Sequence, residues 1–157
     1  MSYQTDLPVI QNKAHNKALK FLSYRMRSEK ELYDFLVKKK FEENIIQKTI
    51  QAFKEEGLVD DRKFIKWWIE QRQTFRPKSK FVLKKELMSK GVRRELIEEV
   101  IDDSQDDYEV AKNFFGKKKH RFNKYSGKEY FQKASAFLQR RGFGWDIIKR
   151  VLHDENI

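Results

Sequence analysis

The chain of 157 residues lacks cysteine altogether and is poor in proline and glycine, with two and six of them. The absence of cysteine excludes disulfide bonds, a thiol nucleophile and thiolate metal sites, and it suits a reducing cytoplasm. No stretch approaches the roughly 18 apolar residues that span a bilayer, and residues 1–13 lack the apolar core of a secretion signal. We therefore expect a cytoplasmic protein that does not engage a membrane.

The sequence contains an apolar pattern that occurs three times at an offset of 51 residues. The matching sets are Leu36, Phe41, Ile45, Ile46 and Ile50; Leu87, Val92, Leu96, Ile97 and Ile101; and Leu138, Phe143, Ile147, Ile148 and Leu152. Self-similarity of this period is typical of stacked units that bury their apolar faces against neighbours. Apolar residues recur at i, i+3 and i+4, so each unit is predicted to be helical.

The pattern predicts an all-α protein, an elongated array of three tandem three-helix repeats. We place a leading segment at residues 1–13 and the repeats at residues 14–61, 62–104 and 105–157. A unit of about 50 residues buries too little surface to be stable alone, so neighbouring repeats are expected to stabilise one another. Function is then expected on an extended surface.

Two pairs of residues have the spacing of a capping box, in which a serine and a glutamate satisfy each other's backbone amides at the start of a helix. Ser28 with Glu31 predicts the start of the second helix of repeat one. Ser126 with Glu129 predicts an early start for the second helix of repeat three.

Glycines occupy equivalent positions before the third helices of the last two repeats. Gly91 and Gly142 stand where a helix typically ends in a left-handed residue. Lys40 occupies that position in repeat one, which predicts local strain or a different turn.

Charge rises along the chain although the apolar pattern does not change. Residues 14–61 hold 10 basic and 9 acidic residues, whereas residues 62–104 and 105–157 each hold 12 basic and 7 acidic residues. A basic surface attracts nucleic acid or an acidic protein partner, and charge alone does not choose between them.

Basic and aromatic residues supply the candidate contacts. Arg25, Arg72 and Lys118 recur at the same end of each first helix, as suits a polyanionic or filamentous partner. Among the aromatic residues, spacing favours the core for Trp68, Phe81 and Trp145, and an exposed contact for Trp67 or Phe75. The full set of candidates is Arg25, Arg27, Trp67, Arg72, Phe75, Arg76, Lys78, Lys84, Lys117, Lys118, Arg121, Arg140 and Arg141.

Residue pairs that could serve catalysis have a simpler explanation. The acidic pairs at residues 60–61, 102–103 and 106–107 lie at repeat junctions, where aspartate is favoured as a helix N-cap. We prefer this interpretation to a metal-dependent nuclease site. His15, His120 and His153 are scattered, and we expect them on the surface. There is no glycine-rich phosphate loop, H-E-x-x-H pair or G-x-S-x-G elbow. We predict no enzyme, no metal and no cofactor.

Several segments, taken in order, resemble the RecX family of bacterial regulatory proteins. They are residues 18–32 (ALKFLSYRMRSEKEL), residues 57–61 (GLVDD) followed by Phe64, residues 86–87 (EL) with 90–92 (KGV), and residues 137–143 (FLQRRGF). The resemblance covers about residues 14–153. Lys40 and Ser79 depart from it, because the family usually has glycine at both positions.

The resemblance implies a small, curved array of three-helix repeats that binds the RecA recombinase filament on DNA. It implies a non-catalytic regulator that mainly inhibits the ATPase, strand-exchange and coprotease activities of RecA in DNA repair and recombination. We expect a monomer whose partners are RecA and, directly, single- or double-stranded DNA. The alternative from the residues alone is a general nucleic-acid-binding helical repeat protein.

Overall fold

The computed structural model of the chain describes residues 3–155, and the side chains of residues 7–155. The described residues form nine α-helices and a short 3₁₀ helix at Lys119–Phe122, with no strand among them. The α-helices are α1 (Tyr3–Tyr24), α2 (Glu29–Lys38), α3 (Glu43–Glu55), α4 (Asp61–Phe75), α5 (Lys80–Ser89), α6 (Arg94–Asp102), α7 (Asp107–Lys118), α8 (Gly127–Gln139) and α9 (Trp145–Glu155). The all-helical architecture of three-helix repeats is confirmed.

The chain divides into two compact units. The first unit comprises the chain up to Trp67 together with Leu87–Ile97, and the second comprises Trp68–Glu86 together with the chain from Glu98 onward. The middle repeat therefore contributes segments to each unit. The described part of the leading segment, residues 3–13, lies within α1.

The core of the first unit is formed by α1, α2 and α3, which pack on one another. Small residues of α1, Ala14 and Ala18, are fully buried and allow the helices to approach closely. The buried residues of α3 follow a helical period and include Ile46, Ile50 and Phe53. The repeating apolar set therefore forms the core, as the pattern predicts.

The core of the second unit is aromatic, and α7, α8, α9 and the 3₁₀ helix surround it. The rings of Phe114 and Phe137 stack with centroids 5.0 Å apart, and Phe122 meets Phe137 edge-on at 5.2 Å. Such pairs contribute roughly 0.5–1.5 kcal/mol beyond the area that they bury.

Of the two predicted capping boxes, the first is formed only in part, and the second lacks the side-chain cap from its serine. The Ser28 hydroxyl accepts a hydrogen bond from the Glu31 amide at 3.1 Å, but the Glu31 carboxylate accepts from the Arg25 guanidinium. Helix α8 begins directly after Ser126, as predicted, without a side-chain cap from Ser126. Its first residue, Gly127, has a φ of 55°, a left-handed conformation that departs from regular helical geometry at the point where the cap would form.

The left-handed turns predicted at Gly91 and Gly142 are present, with φ values of 79° and 87°. Lys40, for which either strain or a different turn was expected, is left-handed as well, with a φ of 66°. The two glycines have a second reason to be glycine. A Cβ atom on Gly91 would lie 2.3 Å from Lys30, and one on Gly142 would lie 2.3 Å from Val82, closer than non-bonded atoms approach. Lys40 is exposed, so its turn carries only the cost of the left-handed backbone.

The close approach at Gly91 belongs to a joint between repeats one and two. The Ser28 hydroxyl donates a hydrogen bond to the Lys90 carbonyl oxygen at 2.6 Å, and the Glu29 amide donates to Oδ1 of Asp61 at 2.9 Å. Asp61 is the first residue of α4, so in the structure the second repeat begins just before residue 62, the boundary expected from the sequence. The first helix of the second repeat thus caps the second helix of the first repeat.

The same joint occurs between repeats two and three. The Ser79 amide donates a hydrogen bond to the Arg141 carbonyl oxygen at 3.0 Å, and the Lys80 amide donates to Oδ1 of Asp107 at 2.9 Å. Burial is the main reason that the pKa of Asp107 is raised, and the Lys80 amide opposes it. Asp61 has a raised pKa for the same reason.

We predict that Gly142→Ala destabilises the protein by more than Gly57→Ala, as measured by urea unfolding. Both glycines are left-handed, but a Cβ on Gly57 would meet nothing closer than 4.0 Å, so Gly57→Ala carries only the backbone cost of about 1–2 kcal/mol. Gly142→Ala must also displace Val82. Equal losses in the two variants would contradict the close-packed joint.

We further predict that Asp107→Ala lowers the free energy of unfolding by about 1 kcal/mol, as expected for loss of a helix cap. Asp107→Asn keeps an acceptor oxygen without burying a charge, so at neutral pH it should cost less. Because the pKa of Asp107 is raised in the folded state, its contribution to stability grows as pH falls from the folded value toward the unfolded one. Urea unfolding should therefore show that the free energy of unfolding of the wild type rises relative to that of Asp107→Asn as pH falls. The opposite trend would refute the assignment.

Candidate basic site of the second unit

Most of the candidate contact residues lie in the second unit, and only Arg25, Arg27 and Trp67 lie in the first. Arg25 follows the end of α1 and pairs with Glu31 at 2.6 Å, while its guanidinium lies 5.9 Å from the centre of the Trp67 ring. Arg27 lies 4.0 Å from the centre of the Phe21 ring. Burial, followed by the charge of Arg25, lowers the pKa of Arg27. These side chains are anchored within the first unit.

Arg72 is also anchored, in the last turn of α4. Its Nε donates to Oε2 of Glu86 at 2.9 Å, and the same oxygen accepts from the Trp68 indole at 2.8 Å. The Arg72 guanidinium lies 4.9 Å from the centre of the Trp68 ring. One carboxylate of α5 therefore joins two side chains of α4.

The exposure of the aromatic residues differs from expectation at two positions. Phe75 is 74% exposed, in agreement with its selection as a surface contact, and Trp67 and Trp68 are half-buried. Phe81 and Trp145, expected in the core, are 63% and 52% exposed. Phe81 lies two residues before the buried Leu83, on a different face of α5. Trp145 is the first residue of α9, where it meets the edge of the packed face.

The charges of three arginines in the second unit, Arg76, Arg121 and Arg140, act on Arg141, and we call these four residues the arginine cluster. Arg141 is half-buried and the other three are exposed. Burial lowers the pKa of Arg141 first, and Arg76, Arg140 and Arg121 lower it further. Since like charges at this range repel, the cluster has excess positive charge that an anion would relieve.

A cavity of about 310 Å³ lies in the same unit, between the end of α4 and α7. Phe75, Phe114, Lys117 and Lys118 are among its lining residues. The Arg141 guanidinium lies 4.9 Å from the centre of the Phe114 ring, so Phe114 connects the cluster to the cavity. The structure thus brings together candidates from the ends of α4, α7 and α8.

Two lysine candidates lie near the second joint. Lys78 and Lys84 are half-buried, and the charge of Lys84 lowers the pKa of Asp107 against the larger effect of burial. The charge of Lys84 therefore acts on the carboxylate of Asp107 within the protein.

The acidic pairs act as caps where the structure shows their contacts. Asp60 accepts from the Lys63 amide at 3.2 Å, and Asp106 accepts from the Glu109 amide at 2.9 Å, as its spacing predicts. Their neighbours Asp61 and Asp107 cap the preceding repeat. Within residues 3–155 no group of three His, Cys, Asp or Glu residues is arranged to hold a metal ion.

The histidines do not all lie on the surface. His120 and His153 are exposed, but His15 is half-buried, and its ring stacks on Phe53 with centroids 4.9 Å apart. The expectation for His15 is therefore wrong, because a position facing α3 places its ring on the core.

Sequence reasoning missed the residues that hold the joints and orient the arginines. The carboxylates of Glu31 and Glu86 bind Arg25 and Arg72, and neither was selected. For the joints a signal existed: Ser28 and Ser79 are separated by the repeat offset of 51 residues.

Comparison with protein families agrees with this architecture. Three family models match in chain order, described as the first, second and third three-helix domains of RecX, over residues 14–52, 60–101 and 105–152. The chain belongs to the RecX family. Similar proteins named regulatory protein RecX include one from Clostridioides difficile, 36% identical over 90% of this chain and 67% of the relative. Another, from Chlorobium phaeobacteroides, is 31% identical over 89% of this chain and 91% of the relative.

Other RecX relatives are longer. The relative from Geobacillus sp. is 37% identical over 91% of this chain, but the matched part is 54% of its length, so the chain spans about half of it. The crystal structure of RecX from Lactobacillus salivarius has the same fold, with a TM-score of 0.79 at 24% identity over 94% of this chain and 97% of that one. No helix among residues 3–155 of the chain is both long and apolar enough to cross a membrane.

Proposed function

We propose that this RecX-family chain is a non-catalytic cytoplasmic regulator that binds the RecA filament on DNA and mainly inhibits its ATPase, strand-exchange and coprotease activities. The observation that carries the proposal is the match of all three repeats, in order, to the RecX domains. The relatives are named regulatory proteins, which fits a role in binding rather than catalysis.

The distribution of charge supports a polyanionic or acidic partner. The arginine cluster combines exposed Arg76, Arg121 and Arg140 with half-buried Arg141, on side chains that suit bidentate contacts with phosphates or carboxylates. A filament of recombinase on DNA presents both groups repeatedly, so a basic helical protein can engage it at several points.

We predict that adding the protein to RecA on single-stranded DNA lowers the rate of ATP hydrolysis at stoichiometric or lower amounts. Reversing two exposed charges of the cluster, in Arg76→Glu with Arg140→Glu, should raise the amount needed by about tenfold or more, because each charged contact contributes roughly 1.5–3 kcal/mol. Coupled-enzyme assays of ATP hydrolysis measure both effects.

The matched control is Lys38→Glu with Lys48→Glu, which makes the same change in net charge on exposed residues of α2 and α3. If the control variant loses as much inhibition of ATP hydrolysis as the arginine variant, the loss comes from the change in net charge and not from the arginine cluster. No change in ATP hydrolysis with the wild-type protein would reject the RecA proposal. Arg72 is unsuitable for this test, because reversing it would also break its pairing with Glu86.

The second candidate function is general binding of nucleic acid, which the mutual repulsion within the arginine cluster favours. For this function we predict tight binding of DNA without RecA and a steep fall in affinity with salt. If each of four arginines neutralises one phosphate of a single strand, a plot of log K against log salt should have a slope of about −3. Arg76→Ala with Arg140→Ala should make that slope shallower by about 1.4. Fluorescence anisotropy measures the slope, and weak affinity already at moderate salt would discard this candidate.

A further inference from the structure

The cavity between the end of α4 and α7 combines features that phosphate binding alone does not require. The ring of Phe75 is 74% exposed at its border, although a residue of this type is usually buried. The amide side chains of Gln73, Gln105 and Asn113 also line it, and each carries donors and acceptors. Its volume of about 310 Å³ lies at the lower end of the range for small-molecule sites.

We propose that this cavity receives an unpaired base of a single-stranded nucleic acid, with the base stacked on Phe75 and its backbone running over the arginine cluster. Single-strand binding sites combine a basic groove with aromatic rings, and stacking tolerates any base because every base has a flat face. The amides at the border would meet the hydrogen-bonding edge of the base. The adjacent Lys117 and Lys118 would contact the neighbouring phosphates.

Geometry connects the two parts of this site. The Arg141 guanidinium lies over the ring of Phe114, and Phe114 lines the cavity, so one arginine of the cluster contacts a residue of the cavity wall. Arg76 directly follows Phe75, the last residue of α4, so the aromatic ring and a cation of the cluster stand at the same end of that helix. A strand that places a base on Phe75 therefore has its phosphates close to the cluster.

The alternatives use only part of this arrangement. A duplex keeps its bases stacked inside, so it would contact the arginines without engaging Phe75. An acidic peptide would neutralise the cations but has no obligatory flat ring for the exposed Phe75. The proposal concerns the protein and nucleic acid alone, so its test does not depend on RecA.

The test compares the affinities of wild type and Phe75→Ala for three labelled ligands by fluorescence anisotropy at moderate salt. The ligands are an oligothymidylate, an oligomer of abasic sites of the same length, and a hairpin duplex. We expect Phe75→Ala to bind the oligothymidylate about tenfold more weakly, the usual size of a lost stacking contact. Affinity for the abasic oligomer and the duplex should stay within about twofold, because neither offers an unpaired base.

Phe81→Ala is the matched control. Phe81 is 63% exposed in the same unit, with the Lys85 ammonium 4.5 Å from the centre of its ring, and it is not among the residues that line the cavity. We expect this variant to bind like wild type, and Phe75→Trp to retain binding by stacking. Unfolding midpoints in urea should be unchanged in all three variants, since both rings are exposed.

Several outcomes would overturn the proposal. Equal losses on the oligothymidylate and the abasic oligomer would show that Phe75 acts through the backbone of the ligand. An equal loss of affinity for the oligothymidylate in Phe81→Ala would show that binding of the base is not specific to the cavity. An oligoglutamate peptide that displaces the oligothymidylate and itself binds Phe75→Ala more weakly would reassign the cavity to an acidic protein segment.

Discussion

The hydrogen bond from the first amide of one helix to an aspartate at the start of another is the contact on which the arrangement of repeats depends. The first amides of any helix lack partners within that helix. In this chain the amides of Glu29 and Lys80 find them on Asp61 and Asp107, each from the following repeat. The serine before each helix caps the third amide, but the first amide has a protein partner only when the next repeat is in place. Local helix formation is thereby coupled to the docking of repeats.

The glycine turns make that docking possible. Each turn packs against the helix whose first amide the aspartate caps, and at Gly142 even a Cβ atom would collide with Val82 of α5. The same turn carries Arg140 and Arg141, and the Arg141 carbonyl accepts from the Ser79 amide. The joint therefore fixes the backbone on which two of the clustered arginines stand. Positions of the charges in the candidate site follow from a packing requirement.

The core of the repeats was predictable from sequence because buried positions of a helix are apolar at a regular period. The offset of 51 residues aligns the equivalent core positions of the three repeats. Left-handed turns were predictable for a similar reason, since few residues tolerate them. Phe81 and Trp145 were not predictable, because an apolar residue at the edge of a face has the same local pattern as one inside it. The pairing of Arg72 with Glu86 depends on two helices meeting, which spacing along one helix does not report. The site could be predicted as a set of basic residues, but the cavity that Lys117 and Lys118 line could not.

One repeated position shows how a periodic core supports a surface that is not periodic. At the end of the first helix, Arg25 pairs with Glu31 and Arg72 pairs with Glu86, so both cations hold structure within their units. In the third repeat the corresponding Lys118 lines the cavity beside Phe75. Because the apolar pattern of the core is kept from repeat to repeat, such a position is free to exchange a structural ion pair for a ligand contact without disturbing the packing beneath it. Basic residues can accordingly collect near one cavity while the core pattern repeats. We therefore expect an anionic partner to bind to the second unit in preference to the first.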